Sequence, residues 1–113
     1  LHYITTLDES NISIESKQGS ATGTGLLKLS EVAVMLLEMS EHTVGTPHIQ
    51  PEIEYIIVVT GELFQEVGGV ITSAKAGEHL IAPPNIPHNH YCIVPTKLVA
   101  ITVPASEGYP DAR

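Results

Sequence analysis

Cysteine, arginine and long apolar runs are all scarce in this sequence. Cys92 is the sole cysteine, so no internal disulfide framework exists and the chain suits a reducing compartment, with a cytoplasmic location expected. Thirteen acids face five bases, for a net charge of −8, and the single arginine is Arg113. Nothing in that balance attracts a phosphate backbone or an anionic membrane, so neither nucleic acid nor membrane is expected as a partner. No apolar stretch approaches the roughly 20 residues of a spanning helix. No basic head followed by an apolar run marks a signal peptide. The chain opens on Leu1 and not on Met, which leaves open what precedes it.

What is present is globular in composition: 42% apolar residues and 16% charged. A mass of 12.1 kDa is that of one domain. Area scaling at this mass puts about two thirds of the unfolded surface inside, enough for one core. The expectation is a single domain over 1–113, its core at about 31–104, with peripheral N-terminal strands in 1–30 and a loosely held tail over 105–113.

Short apolar runs punctuated by Gly and Pro fill the sequence. Ile12 and Ile14 alternate as in a strand. The small residues Gly19–Gly25 read as a flexible turn; Gly23-Thr24-Gly25 lacks the strand and following helix that a phosphate loop needs. Strands are predicted at Leu26–Leu29, at Val32–Met39 and at Tyr55–Thr60, the last rich in β-branched residues. Leu63–Val67 and Val70–Ala74 flank Gly68-Gly69, a strong hairpin signal because primed turns need positive φ. His79–Ala82 leads into a Pro-rich turn. His88–Val94 and Lys97–Val103 read as a further pair around Pro95-Thr96. About eight to ten short strands with no convincing helix predict an all-β sandwich or small barrel of two antiparallel sheets.

Six histidines are many for this length. His48 and Gln50 are two apart and share a face of an extended strand; His88 and His90 repeat the spacing. Glu54 opens the next apolar strand and can point into the same interior. Imidazoles, a carboxylate and an amide facing an apolar interior need satisfying, and a divalent transition metal (Fe, Mn, Ni or Zn) does so at once.

The stretch from His48 reads H-x-Q-x3-E-x6-G, and that from Gly77 reads G-x5-P-x-N-x2-H-x3-C. With these residues the chain resembles the cupin family, whose motifs are G-x5-H-x-H-x3,4-E-x6-G and G-x5-P-x-G-x2-H-x3-N. The resemblance spans about Glu31 to Pro104. It implies a double-stranded β-helix, a jelly-roll-like barrel, with His48, Glu54, Gly61, Gly77, Pro83 and His88 at family positions. It also implies metal ligation by His48, Gln50, Glu54 and His88. The sequence departs from the pattern at four places. His42 stands at the opening glycine, Gln50 at the second histidine, Asn85 at the turn glycine and Cys92 at the terminal asparagine. Gln50 either ligates the ion, holds its water or fills space. Asn85 tolerates positive φ. Cys92 reads as a buried structural residue, and His42 and His79 as surface residues.

The resulting expectation is a small metal-binding enzyme of dioxygenase, isomerase or lyase type. His90 would be the catalytic proton-transfer group, and the substrate a small neutral or monoanionic molecule, since arginine is missing from the barrel strands and Lys28 is one of few basic anchors. The alternative is a non-catalytic small-molecule-binding or sensing module. Tyr55, Tyr91 and Phe64 should face outward and offer apolar area for a homodimer.

Overall fold

Alternation between buried and exposed side chains runs through the strands of this molecule, as a computed structural model describes it over residues 12–111. In chain order they are β1 (Ile12–Ile14), β2 (Ser16–Gln18), β3 (Ala21–Lys28), β4 (Ala33–Met39), β5 (Val44–Gly45), β6 (Ile53–Thr60), β7 (Glu62–Val67), β8 (Val70–Lys75), β9 (His79–Ala82), β10 (His88–Tyr91) and β11 (Thr96–Val103). In β6 the even positions Glu54, Ile56 and Val58 turn inward; in β11 Thr96, Leu98, Ala100 and Thr102 do the same. The two strands are in register, Ile56 opposite Ala100 and Val58 opposite Leu98, so these residues share one inner face.

Two antiparallel sheets result. One has six strands in the order β1-β3-β4-β11-β6-β9, the other five in the order β2-β5-β10-β7-β8. From β4 onward the chain changes sheet at every connection except the β7–β8 hairpin, so the two layers are rolled together. Met35, Met39, Ile56, Val58, Leu63, Cys92 and Leu98 pack between them. The Gly68-Gly69 turn has φ of 56° and 83°, the positive values a two-residue hairpin needs. Val32–Met39 forms a strand as expected, in spite of its Met and Leu content, because β3 and β11 flank it and complete its hydrogen bonds.

Three expectations are corrected. Gly19–Gly25 is not a turn, since β3 runs through it from Ala21. Gly25 is small because a Cβ there would meet the backbone of Asp111. β10 and β11 do not pair: β10 joins β5 and β7, whereas β11 crosses to the other sheet between β4 and β6. The tail after β11 is not loosely held over its described residues, 104–111. Tyr109 is 8% exposed and belongs to the core cluster.

Candidate functional site

Between the sheets lies a cavity of about 350 Å³. Its apolar wall comes from Met35, Leu37, Met39, Ile56, Leu63, Leu98 and Ala100, and its polar wall from His48, Gln50, Glu54, Asn89, His90 and Tyr109. The local backbone explains how the polar set is delivered. Four turn positions of the two sequence motifs hold left-handed φ: His42 at 55°, Gly61 at 84°, Gly77 at 86° and Asn85 at 61°. His42 and Asn85 stand where the resemblance calls for glycine, and both adopt the conformation that glycine would supply.

His48 lies between β5 and β6 and forms an isolated antiparallel bridge with His88, the first residue of β10. Their backbones exchange two hydrogen bonds of 3.0 Å. The rings meet edge to face at 4.3 Å between centroids, with His48 exposed and His88 only 2% exposed. Each Nδ1 lies 3.1 Å from a carbonyl oxygen, that of Thr46 for His48 and that of Ile86 for His88. A carbonyl can only accept, so Nδ1 carries the proton and the neutral ring keeps its lone pair on Nε2. His88 Nε2 is the one buried side-chain polar atom without a hydrogen-bond partner among the described residues.

His90 follows two positions later on the same inward face, its ring centroid 5.6 Å from that of His88. Its Nε2 is 2.7 Å from Gln65 Oε1, and Gln65 Nε2 donates to the Ile81 carbonyl at 2.9 Å. That chain fixes the tautomer with the His90 proton on Nε2. Loss of hydration, followed by the proximity of His88 and His48, pushes the His90 imidazole down to about 3. His90 is therefore a neutral ring near pH 7 and not a reservoir of positive charge.

Glu54 sits on β6 in the six-stranded sheet, across from the histidines. It is 8% exposed, and its Oε2 accepts a hydrogen bond of 2.6 Å from the Tyr109 hydroxyl. Burial and the adjoining Glu54 carboxylate push the tyrosine pKa well up, so the hydroxyl remains a donor. Gln50 faces the same cavity, its Nε2 reaching toward the Glu52 carbonyl at 3.5 Å. The structure thus brings His48 and His88 into contact and puts His48, Gln50, Glu54 and His90 on the cavity wall, while His88 is not among the residues that line it. Among the described residues it does not gather three His, Cys, Asp or Glu side chains at ion-holding spacing.

Other expectations can be placed. Cys92 is buried, its Sγ 3.1 Å from the Ser40 carbonyl oxygen, as a structural residue should be. Lys28 is committed elsewhere than to a ligand, since its Nζ donates to the Tyr109 carbonyl at 2.6 Å. Tyr91 stacks on Phe64 outside the five-stranded sheet, centroids 5.0 Å apart, whereas Tyr55 lies on the other sheet beside His79. The three aromatics therefore do not form one surface. Sequence reasoning missed Tyr109 and Gln65. Gln65 had a signal, two residues after Leu63 on an alternating strand; Tyr109, alone among Gly, Pro and Asp, had none.

Residues 35–104 match the family described as Cupin domain. The chain belongs to the cupin family. Against H2HPP isomerase of Bacillus subtilis this cupin chain is 35% identical over 74 residues, which cover 65% of the chain and 31% of that protein. A RmlC-like cupin from Shewanella frigidimarina superposes with a TM-score of 0.80 at 21% identity, covering 95% of each chain. KdgF from Halomonas sp. superposes with a TM-score of 0.74 at 17% identity, covering 86% of this chain and 89% of that one. At such identities the likeness is one of fold, and it agrees with the rolled pair of sheets.

Proposed function

We propose that this cupin is a small metal-dependent enzyme that binds a neutral or monoanionic molecule in the barrel cavity and acts on it by isomerase-type chemistry. The observation that carries the reading is His88 Nε2, a buried lone pair with no protein partner, set beside the ring of His48. A buried polar atom left unpaired costs about 1–3 kcal/mol. A divalent ion satisfies it, and the Nδ1 bonds to backbone carbonyls are the usual way a ligating imidazole is oriented. The donor chemistry of the pair therefore fits an ion such as Fe(II), Mn(II), Ni(II) or Zn(II). His48 and His88 would hold it, with Gln50 and Glu54 as further donors from the cavity wall. Such an ion supplies Lewis acidity toward a carbonyl or enol oxygen.

The chain's own residues do the rest. The Met35, Leu98 and Ile56 wall receives the apolar body of the ligand and excludes water. The charged side chains lining the cavity are Glu15 and Glu54, with no Lys or Arg among them, which disfavours a dianion. His90, with its proton pinned toward Gln65, presents Nδ1 as an acceptor to a ligand hydroxyl. The isomerase named in the Bacillus subtilis relative supports this reaction class over dioxygenase or lyase chemistry.

Elemental analysis of protein purified with supplemented metal and without chelator tests the reading, together with calorimetric titration of apo-protein with each ion. The expected result is one ion per chain for wild type and loss of tight binding in His88→Ala. Equal binding by both proteins would remove the metal and the enzyme reading with it. A second reading, a non-catalytic binding module, draws on Gln50 at the second histidine position and on the lack of three His, Cys, Asp or Glu side chains gathered at ion-holding spacing among the described residues. Protein that binds no ion yet retains a small molecule in the cavity would establish that reading instead.

A further inference from the structure

We propose that Tyr109 is a positioning residue for Glu54 and that the segment Pro104–Asp111 is its mount. Tyr109 lies beyond residues 35–104, the part of the chain that carries the family match. Its hydroxyl takes Glu54 Oε2 at 2.6 Å, and both side chains are 8% exposed, so the contact is made away from bulk water. Such a contact fixes the direction of the carboxylate and leaves the other oxygen for whatever occupies the cavity that Glu54 lines.

The backbone behind Tyr109 is tied down at several points. Ser106 N–H donates to Thr102 Oγ1 at 2.9 Å, and Tyr109 N–H donates to the Ser106 carbonyl at 3.2 Å. Lys28 Nζ donates to the Tyr109 carbonyl at 2.6 Å. Gly25 lets the Asp111 backbone cross β3 where any side chain would collide. A segment that only covered the barrel mouth would need none of these ties. A segment that must place one hydroxyl to a fraction of an ångström needs rigid support of this kind.

The inference rests on Glu54 being a site residue, as proposed above, and two measurements separate its failure from that of the metal reading. The first is calorimetric titration with Mn(II) and Zn(II) of wild type, Tyr109→Phe, Glu54→Gln and the double variant. Tyr109→Phe keeps the ring and removes only the hydroxyl. Affinity should fall about tenfold in Tyr109→Phe. In the Glu54→Gln background the same change should have an effect below about twofold, since the loss acts through the carboxylate. Full affinity in Tyr109→Phe alongside a clear loss in Glu54→Gln would overturn the proposal. The second measurement needs no ion. In carbon-13 NMR of the apo-protein, the Glu54 side chain, assigned by its absence from the Glu54→Gln spectrum, should show one rotamer in wild type and rotamer averaging in Tyr109→Phe. An unchanged Glu54 rotamer in Tyr109→Phe would also overturn the proposal. If wild type binds neither ion, the metal reading falls and the rotamer result alone decides whether Tyr109 positions Glu54.

Discussion

His48 and His88 form a hydrogen-bonded backbone pair whose rings touch edge to face at 4.3 Å, yet only one of the two is buried. The pair therefore joins an enclosed lone pair to one that solvent and ions can reach. Without an ion, burial of the His88 imidazole is a liability. His88→Leu gives up the Ile86 contact, worth about 1 kcal/mol, and removes an unpaired polar atom costing about 1–3 kcal/mol. Ion-free His88→Leu should melt at or above the wild-type temperature. Addition of Zn(II) should raise the melting temperature of wild type and leave the variant unmoved. Thermal unfolding with and without the ion checks both halves.

Stability should fall with acid between pH 6.5 and about 3 on account of His90. Its folded pKa of about 3 lies below the ordinary 6.5, so in that window the unfolded chain takes up a proton that the folded one refuses. The contribution is fully present above pH 6.5 and is lost as pH drops, with a slope of at most about 1.4 kcal/mol per pH unit. Urea unfolding at several pH values should show a shallower acid loss for His90→Leu than for wild type. Parallel slopes for the two proteins would contradict the assignment.

Gly61 and Gly69 offer a matched comparison. Their φ values are 84° and 83°, but a Cβ at Gly61 would collide with Pro95 and Thr96, whereas one at Gly69 would meet nothing within 4 Å. Gly69→Ala should cost about 1–2 kcal/mol, the left-handed penalty alone. Gly61→Ala should cost a further 1–3 kcal/mol or so from overpacking at the β6–β7 corner, against the start of β11. Denaturant midpoints for the two variants are the measurement.

A homodimer through the outer face of the six-stranded sheet is the expected assembly. Ile53, Ile57, Val59, Ile81 and Val103 are exposed there on three adjacent strands. Sedimentation should give about twice the 12.1 kDa chain mass. Ile57→Lys should shift it to the monomer, while Phe64→Lys, on the opposite sheet, should not.

Strand placement was legible because β6 and β11 alternate, and because the Gly-Gly hairpin needs a backbone that few other residues adopt. The His-x-His spacing falls on β10 as expected, whereas His48 and Gln50 both line the cavity from the β5–β6 connection and not from the extended strand that their spacing predicted. Strand partnership was not legible at Pro95-Thr96, since a short turn between two strands looks the same whether it closes a hairpin or crosses between layers. Glu54 was placed in the interior correctly, but its partner was not legible. The Tyr109 contact spans 55 residues of sequence and depends on Gly25 and Lys28, which no local pattern connects to it.

The position of β11 governs the order in which the chain can become a barrel. It is the latest of the strands to be synthesised, yet it lies inside the six-stranded sheet with β4 on one side and β6 on the other. Until residues 96–103 insert, that sheet exists as two fragments, β1-β3-β4 and β6-β9, each with a raw edge. A nascent chain stalled before this point would leave both of those edges unpaired, the condition that favours edge-to-edge aggregation. The eight residues of β11 are thus the only pairing that joins these two halves of the six-stranded sheet among the described residues.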